Sequence, residues 1–427
     1  MNNEVVYPKF RFLVGIAATM AWINMGWVVI GFAPLLPLIS REFNVPIGTV
    51  AIGVFALKSF VAFVGIVLIG PLVDRYGPRI VLFVSAILCV VYALLIPVTH
   101  TYTQIVVLRL FMGLVCMGPL FAGKAAMAQR WFPRKEQSTW IGIWNAGVPI
   151  GVVVMYLFYY PLLKHFNGEW RDVGAFAAVP SAILFVLMLI SLFGKEPPVV
   201  RYGPSELTKR DFSIALKLPV LWAGAILLGC AQGLLENVNS FAASYLMAPT
   251  PLGLGWKPFI AGPTMTFVQW GMIIGGFLVS TMLVFIFRGS IKWFAACGFL
   301  LVGLASYFLT SSFSKASPSH MKISFFIVGY LLVFGYPAVT TFVTQNYPPH
   351  ILGKVFGLCG GISILLNAVF VMLGGAILNW THTFKALYGY SLIMGVFAFI
   401  LTAIMLNPIK VFAKREAPVA PEAVGTK

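Results

Sequence analysis

Gly70-Pro71-Leu72-Val73-Asp74-Arg75-Tyr76-Gly77-Pro78-Arg79 sits between two long apolar runs, about 46 to 71 and 80 to 99. Its acid and two arginines need water, and its glycines let the chain turn tightly between helices. Each flanking run supplies the roughly 20 apolar residues that cross a hydrocarbon layer. The stretch therefore reads as a polar loop at a membrane surface, joining two crossings. Extending the search outward to runs bounded by charge, Pro and Gly gives ten more, at about 12 to 39, 103 to 130, 138 to 163, 173 to 194, 218 to 247, 258 to 287, 291 to 312, 320 to 346, 351 to 379 and 384 to 409. Composition agrees: 60% of the 427 residues are apolar and 10% charged, against about 45–50% and 25% in soluble domains. Soluble enzymes and disordered, collagenous or disulfide-stapled chains are thereby excluded.

Counting Lys and Arg assigns the sides. Loops on the side of the two termini hold 19, the opposite loops hold seven, and three such residues lie within spans. The expectation is an all-α membrane protein of 12 transmembrane helices with both termini cytoplasmic, multi-pass in the cell (plasma) membrane. The net charge of +17 is then topological, and no nucleic-acid partner is expected. The polar stretch KEPPVVRYGPSELTKRDFSIALK divides the chain into an N-terminal six-helix bundle (1–194), a cytoplasmic linker (195–217) and a C-terminal six-helix bundle (218–411). The Pro-rich end, 412–427, reads as a disordered cytoplasmic tail. All five cysteines lie in apolar runs and read as small hydrophobes rather than bridges or metal ligands. The first run is too long for a signal-peptide core and reads as a retained span. A monomer is expected.

The decapeptide resembles the signature loop of the major facilitator superfamily, G-x-L-x-D-R-x-G-x-R. Arg109-Leu-Phe-Met-Gly113, Arg130-Trp-Phe-Pro-Arg-Lys-Glu136, the small-residue face of Gly142, Gly147 and Gly151, and Glu169-Trp170-Arg171 strengthen the likeness across the N-terminal half. In the second half it rests mainly on the span count, with the repeated loop reduced to Gly275, Gly276, Arg288 and Gly289. The resemblance implies two six-helix bundles related by a pseudo-two-fold axis, with a central cavity opening alternately to either side. It also implies a gate role for Asp74, Arg75 and Arg79, although Pro78 stands where the family usually has a basic residue.

Ionisable groups inside the hydrocarbon are costly and mark function. Four occur: Lys58, Arg109, Lys124 and Glu236. At about 100° per residue, positions 109, 113, 116, 120 and 124 share one face of an α-helix. Arg109 and Lys124 would then stand on one cavity wall, roughly 22 Å apart at 1.5 Å per residue. Arg109 is the expected carboxylate fork and Lys58 its companion in substrate binding; Lys124, close enough to the surface to snorkel, suits the inner gate. In the anion carriers of the family, an Arg at the position of Arg109 lines the substrate site, and an acid seven residues later joins proton coupling. Here that second position is Cys116. Glu236, the lone intramembrane carboxylate, is the coupling candidate: it would pair with Lys58 or Arg109 in the empty carrier, or carry a symported proton. Asn24, Trp144, Asn145, Gln269, Tyr336 and Asn367 are expected as further lining.

Three basic groups against one acid favour anions. The leading expectation is a secondary active transporter that moves a small organic anion, a mono- or dicarboxylate or sugar acid, by proton symport or anion exchange. Its partners would be that anion, membrane lipid and, for symport, protons. Multidrug or hydrophobic-cation efflux by proton antiport, with Glu236 as the cation site, and a non-transporting membrane sensor are the alternatives. No H-E-x-x-H or G-x-S-x-G occurs, and the P-loop-like Gly118 to Lys124 run ends in Ala125 rather than Ser or Thr. No enzyme activity, metal or cofactor is therefore expected.

Overall fold

A computed structural model describes residues 8–195 and 206–407, apart from some helical side chains that include Asp74. The tail 412–427 and most of the N-terminal part of the linker lie outside the described residues. Among the described residues, twelve helices are long and apolar enough to cross a membrane: α1 (Arg11–Phe43), α2 (Ile47–Val73), α3 (Pro78–Val98), α4 (Tyr102–Lys124), α5 (Thr139–His165), α6 (Trp170–Leu192), α7 (Pro219–Met247), α8 (Pro258–Val279), α9 (Ile291–Phe308), α10 (Pro318–Val343), α11 (Lys354–Thr381) and α12 (Phe384–Met405). Because twelve crossings return the chain to its starting side, α1 begins and α12 ends at one face, the terminal side; the opposite face is the far side.

Local chemistry sets the ends. Gly77, at φ +87°, breaks the chain between α2 and α3 in a conformation that costs glycine nothing, and Pro78 starts α3 without needing a hydrogen bond for its nitrogen. Thr101 caps α4, its hydroxyl accepting from the Gln104 amide while Gln104 returns the bond to the Thr101 amide. The linker is not wholly irregular: a helix, Glu206–Leu216, lies within it, and Asp211 on that helix is buried.

Packing repeats with a period of six helices. In the first half α1 packs on α5, α2 on α4 and α3 on α6; in the second, α7 on α11, α8 on α10 and α9 on α12. The small-residue face of α5 lies on α1, where side chains at Gly147 and Gly151 would collide with Trp22 and the Ile23 backbone. Small residues permit such approach where no water drives helices together. Across the halves, α2 meets α11 and α5 meets α8, two contacts that the same six-helix shift exchanges.

Those contacts seal the far side. A Cβ on Gly375 of α11 would stand 2.7 Å from the Gly48 carbonyl oxygen of α2, so only glycine allows this crossing. Asn379 donates to Thr49 Oγ1 at 2.8 Å, and Tyr160 meets Phe259 with ring centres 5.7 Å apart. Toward the terminal side the same helices part. Gly70, Gly142, Gly276 and Gly357, one on each interface helix, have open space where a Cβ would sit. Asn145 is exposed although it stands about 200° round α5 from the lipid-facing Ile143. A hollow between the halves therefore opens at the terminal side.

Candidate functional site

Three spans of the first half contain a π turn: Gly26–Ile30 in α1, Ile52–Ala56 in α2 and Gly113–Met117 in α4. A π turn inserts one residue and leaves carbonyls without their usual partner. Arg109 meets that need. It donates from Nη1 to Val28 O at 2.8 Å, from Nη2 to Val29 O at 3.0 Å, and from Nε to Val54 O at 3.1 Å, each acceptor lying in a π turn. A further Nη1 bond reaches the Tyr92 hydroxyl at 3.1 Å, and the guanidinium lies over Phe32 and Phe55. The Ser85 hydroxyl serves the third turn, donating to Val115 O. Arg109 is thus 1% exposed, with four of its five N–H donors committed inside its own bundle.

This corrects the expected geometry of α4. The π turn at Gly113–Met117 shifts every later position by about 100° relative to Arg109, so Arg109 and Lys124 do not share one regular α-helical face. Lys124 instead reaches the hollow, where its ammonium donates to Asn145 Oδ1 and lies 4.4 Å from the Trp22 ring centre.

The two halves are joined at mid-depth. Lys58 lies 11 residues from the far end of α2 and Glu236 11 residues from the far end of α7, about 16 Å in each case. They meet: Lys58 Nζ donates to Glu236 Oε1 at 3.0 Å, with the side chains 1% and 10% exposed. Phe55 stands between the two cations of this region, its ring centre 5.3 Å from Lys58 Nζ and 5.6 Å from the Arg109 guanidinium carbon. Further along, Gln269 donates to Asn239 Oδ1 at 2.6 Å, joining α8 to α7.

Other expected lining residues are placed less centrally. Trp144 is fully buried against α1, its indole donating to Gly15 O at 3.1 Å. Asn24 is fully buried too and accepts from Ser181 of α6 at 3.0 Å. Both therefore contact their own bundle rather than the hollow. Tyr336 is half-buried, and the buried Asn367 keeps an Oδ1 with no partner among the described residues. Of the expected gate, Asp74 has a side chain outside the described residues. Arg75 is exposed and stacks on Tyr76, whereas Arg79 donates to Ser191 O at 2.6 Å and Gly194 O at 2.8 Å, tying α3 to the end of α6.

Sequence reasoning passed over Tyr156 and Tyr159 of α5. Both hydroxyls are buried without a partner among the described residues, as is that of Ser240 one turn from Glu236. A hydroxylated aromatic within a span was the available signal.

The Major Facilitator Superfamily model matches residues 11–369. The chain belongs to the Major Facilitator Superfamily. That places it among transporters rather than enzymes and makes it a multi-pass integral membrane protein. Solved superfamily structures share the fold: a D-xylose-proton symporter superposes with a TM-score of 0.76 over 94% of this chain and 100% of its own, at 16% identity. By sequence the chain is similar to the cis,cis-muconate transport protein of Acinetobacter baylyi, 26% identical over 66% of this chain and 68% of that one. Shorter stretches resemble the hexuronate transporter of Bacillus subtilis, 30% identical over 18% of each chain, and the probable L-galactonate transporter of Escherichia coli, 33% identical over 20% of this chain and 18% of that one.

Proposed function

We propose that this superfamily member carries a small organic anion, a mono- or dicarboxylate or a sugar acid, by alternating access with proton symport, and that its termini lie in the cytoplasm of a cell whose plasma membrane it spans. The observation that carries this reading is the Lys58–Glu236 pair across the two halves. Separating a buried ion pair without replacement costs about 3–5 kcal/mol, because a naked charge is left behind. A substrate carboxylate on Lys58 together with a proton on Glu236 replaces both charges at once. In the empty carrier the pair neutralises itself and the halves can return. Substrate and proton are thus coupled by charge balance. The partnerless hydroxyls of Tyr156, Tyr159 and Ser240 suit the hydroxyl or carbonyl groups of such a cargo.

The muconate, hexuronate and L-galactonate names of the relatives support an acidic cargo. In this geometry Lys58 is the anion contact and Lys124 the entry cation, while Arg109 holds the helices on which Lys58 is mounted. A cation exporter would need Glu236 unengaged, and Lys58 engages it.

The test is uptake and counterflow of labelled mono- and dicarboxylates and hexuronates in proteoliposomes, with and without an imposed pH gradient. Glu236→Gln is expected to lose acceleration by the gradient at least tenfold while retaining exchange, and Lys58→Ala to lose both. Gradient-driven uptake unchanged in Glu236→Gln would remove the proton role, and the absence of flux with every acid tried would remove the cargo assignment.

A further inference from the structure

We propose that the groove between the far-side ends of α9, α10 and α12 is a binding site for one anionic phospholipid of the far-side leaflet. The groove holds about 660 Å³, within the roughly 300–1,000 Å³ range of small-molecule sites. Its lining changes character with depth. Ser311 and Ser312 follow the last turn of α9, Ser324 lies two turns into α10, and Lys385 opens α12. Leu301 lies seven residues before the end of α9 and Leu331 seven residues beyond Ser324, so the apolar foot is about 10 Å deeper than the polar rim. A headgroup at the rim and an acyl chain along the foot follow the same gradient.

The foot faces lipid rather than protein. Leu301, Leu304 and Ile327 are 42%, 47% and 44% exposed. A free phosphate would leave that surface bare, which favours a lipid as the source of the anion. Charge agrees: the sequence contains no Asp or Glu between Glu236 and Glu416, whereas Lys257, Lys315, Lys322 and Lys385 all fall at the far side of the second half. No carboxylate there repels a phosphate. The Lys385 ammonium is exposed and makes no ion pair or hydrogen bond among the described residues. A cation beside an acyl-sized groove at a bilayer surface attracts an anionic lipid headgroup. Rigidity comes from the Ser314 and Ser324 hydroxyls, 2.8 Å apart, which fasten the short Ser312–Lys315 helix to α10.

The test is native mass spectrometry of the purified full-length protein with phosphatidylglycerol, phosphatidylcholine of the same chains, or soluble glycerol phosphate. One phosphatidylglycerol is expected to be retained at least fivefold over phosphatidylcholine and to resist displacement by glycerol phosphate. Lys385→Gln should cut its retention at least fivefold, Ala305→Phe should do the same by filling the groove, and Lys257→Gln should leave it unchanged. Equal retention of the two lipids, displacement by glycerol phosphate, equal loss in Lys257→Gln, or full retention in either groove variant that elutes as a monodisperse protein would overturn the assignment. Transport activity does not enter this readout, so failure of the carboxylate reading leaves it standing, and the reverse holds too.

Discussion

Arg109 and Lys58 are neighbouring buried cations with opposite employment. A guanidinium spreads five donors over a planar fork and here serves three carbonyls and the Tyr92 hydroxyl at once, whereas an ammonium has three donors on one atom and leaves at least one of those four acceptors without a donor. Arg109→Lys is accordingly expected to leave π-turn carbonyls without donors and to destabilise the protein by about 2–4 kcal/mol. A lowered thermal transition in detergent would show it; an unchanged transition would mean the carbonyls find other partners. Lys58 has a single charged partner, and the expectation differs in form. Lys58→Met or Glu236→Leu alone strands a charge and should destabilise by about 3–5 kcal/mol, while the double variant should recover most of that loss yet transport nothing. A double variant as unstable as either single one would show that the pair is not the main interaction at this point.

Among elements, the π turns of α1, α2 and α4 do for the first half what no regular helix could, exposing carbonyls inward to one central cation. Nothing in their sequences, GWVVI, IGVFA and GLVCM, announces them beyond a glycine in the first two positions. Ser85→Ala removes the donor to Val115 and should cost about 1–3 kcal/mol by leaving a buried carbonyl bare. Thermal unfolding of that variant beside Ser391→Ala, whose buried hydroxyl bonds back within the regular helix α12 to Leu387 O, checks the claim; equal losses would contradict it. The apolar runs located all twelve spans, most ends to within a few residues and those of α4 and α8 less closely, since length and charge-free composition are properties of the chain itself. They were silent on facing, because lipid and protein interior are equally apolar and the pattern of a spanning helix carries little of the contrast that orients a soluble one.

At the scale of the molecule, the halves are pinned at the far side by the Gly48–Gly375 crossing and the Asn379–Thr49 bond, and open at the terminal side around Asn145 and Lys124. Alternating access requires that pin to release. A disulfide between cysteines placed at Thr49 and Asn379 is therefore expected to abolish flux, with recovery on reduction, while Asn145→Cys stays open to a membrane-impermeant thiol reagent applied from the terminal side. Continued flux in the oxidised form would show that this seam need not part.

By itself, the sequence determined that the chain has twelve stretches long and apolar enough to cross a membrane, and that Lys58, Arg109, Lys124 and Glu236 are the expensive residues. Each follows from the cost of leaving charge or backbone in hydrocarbon, which is paid wherever the residue lies. Only the tertiary structure decided which cation is held by its own bundle and which faces the other half. That depends on carbonyls and a carboxylate brought from 55 to 178 positions away in the chain, and on a one-residue π insertion that turns α4 by about 100°.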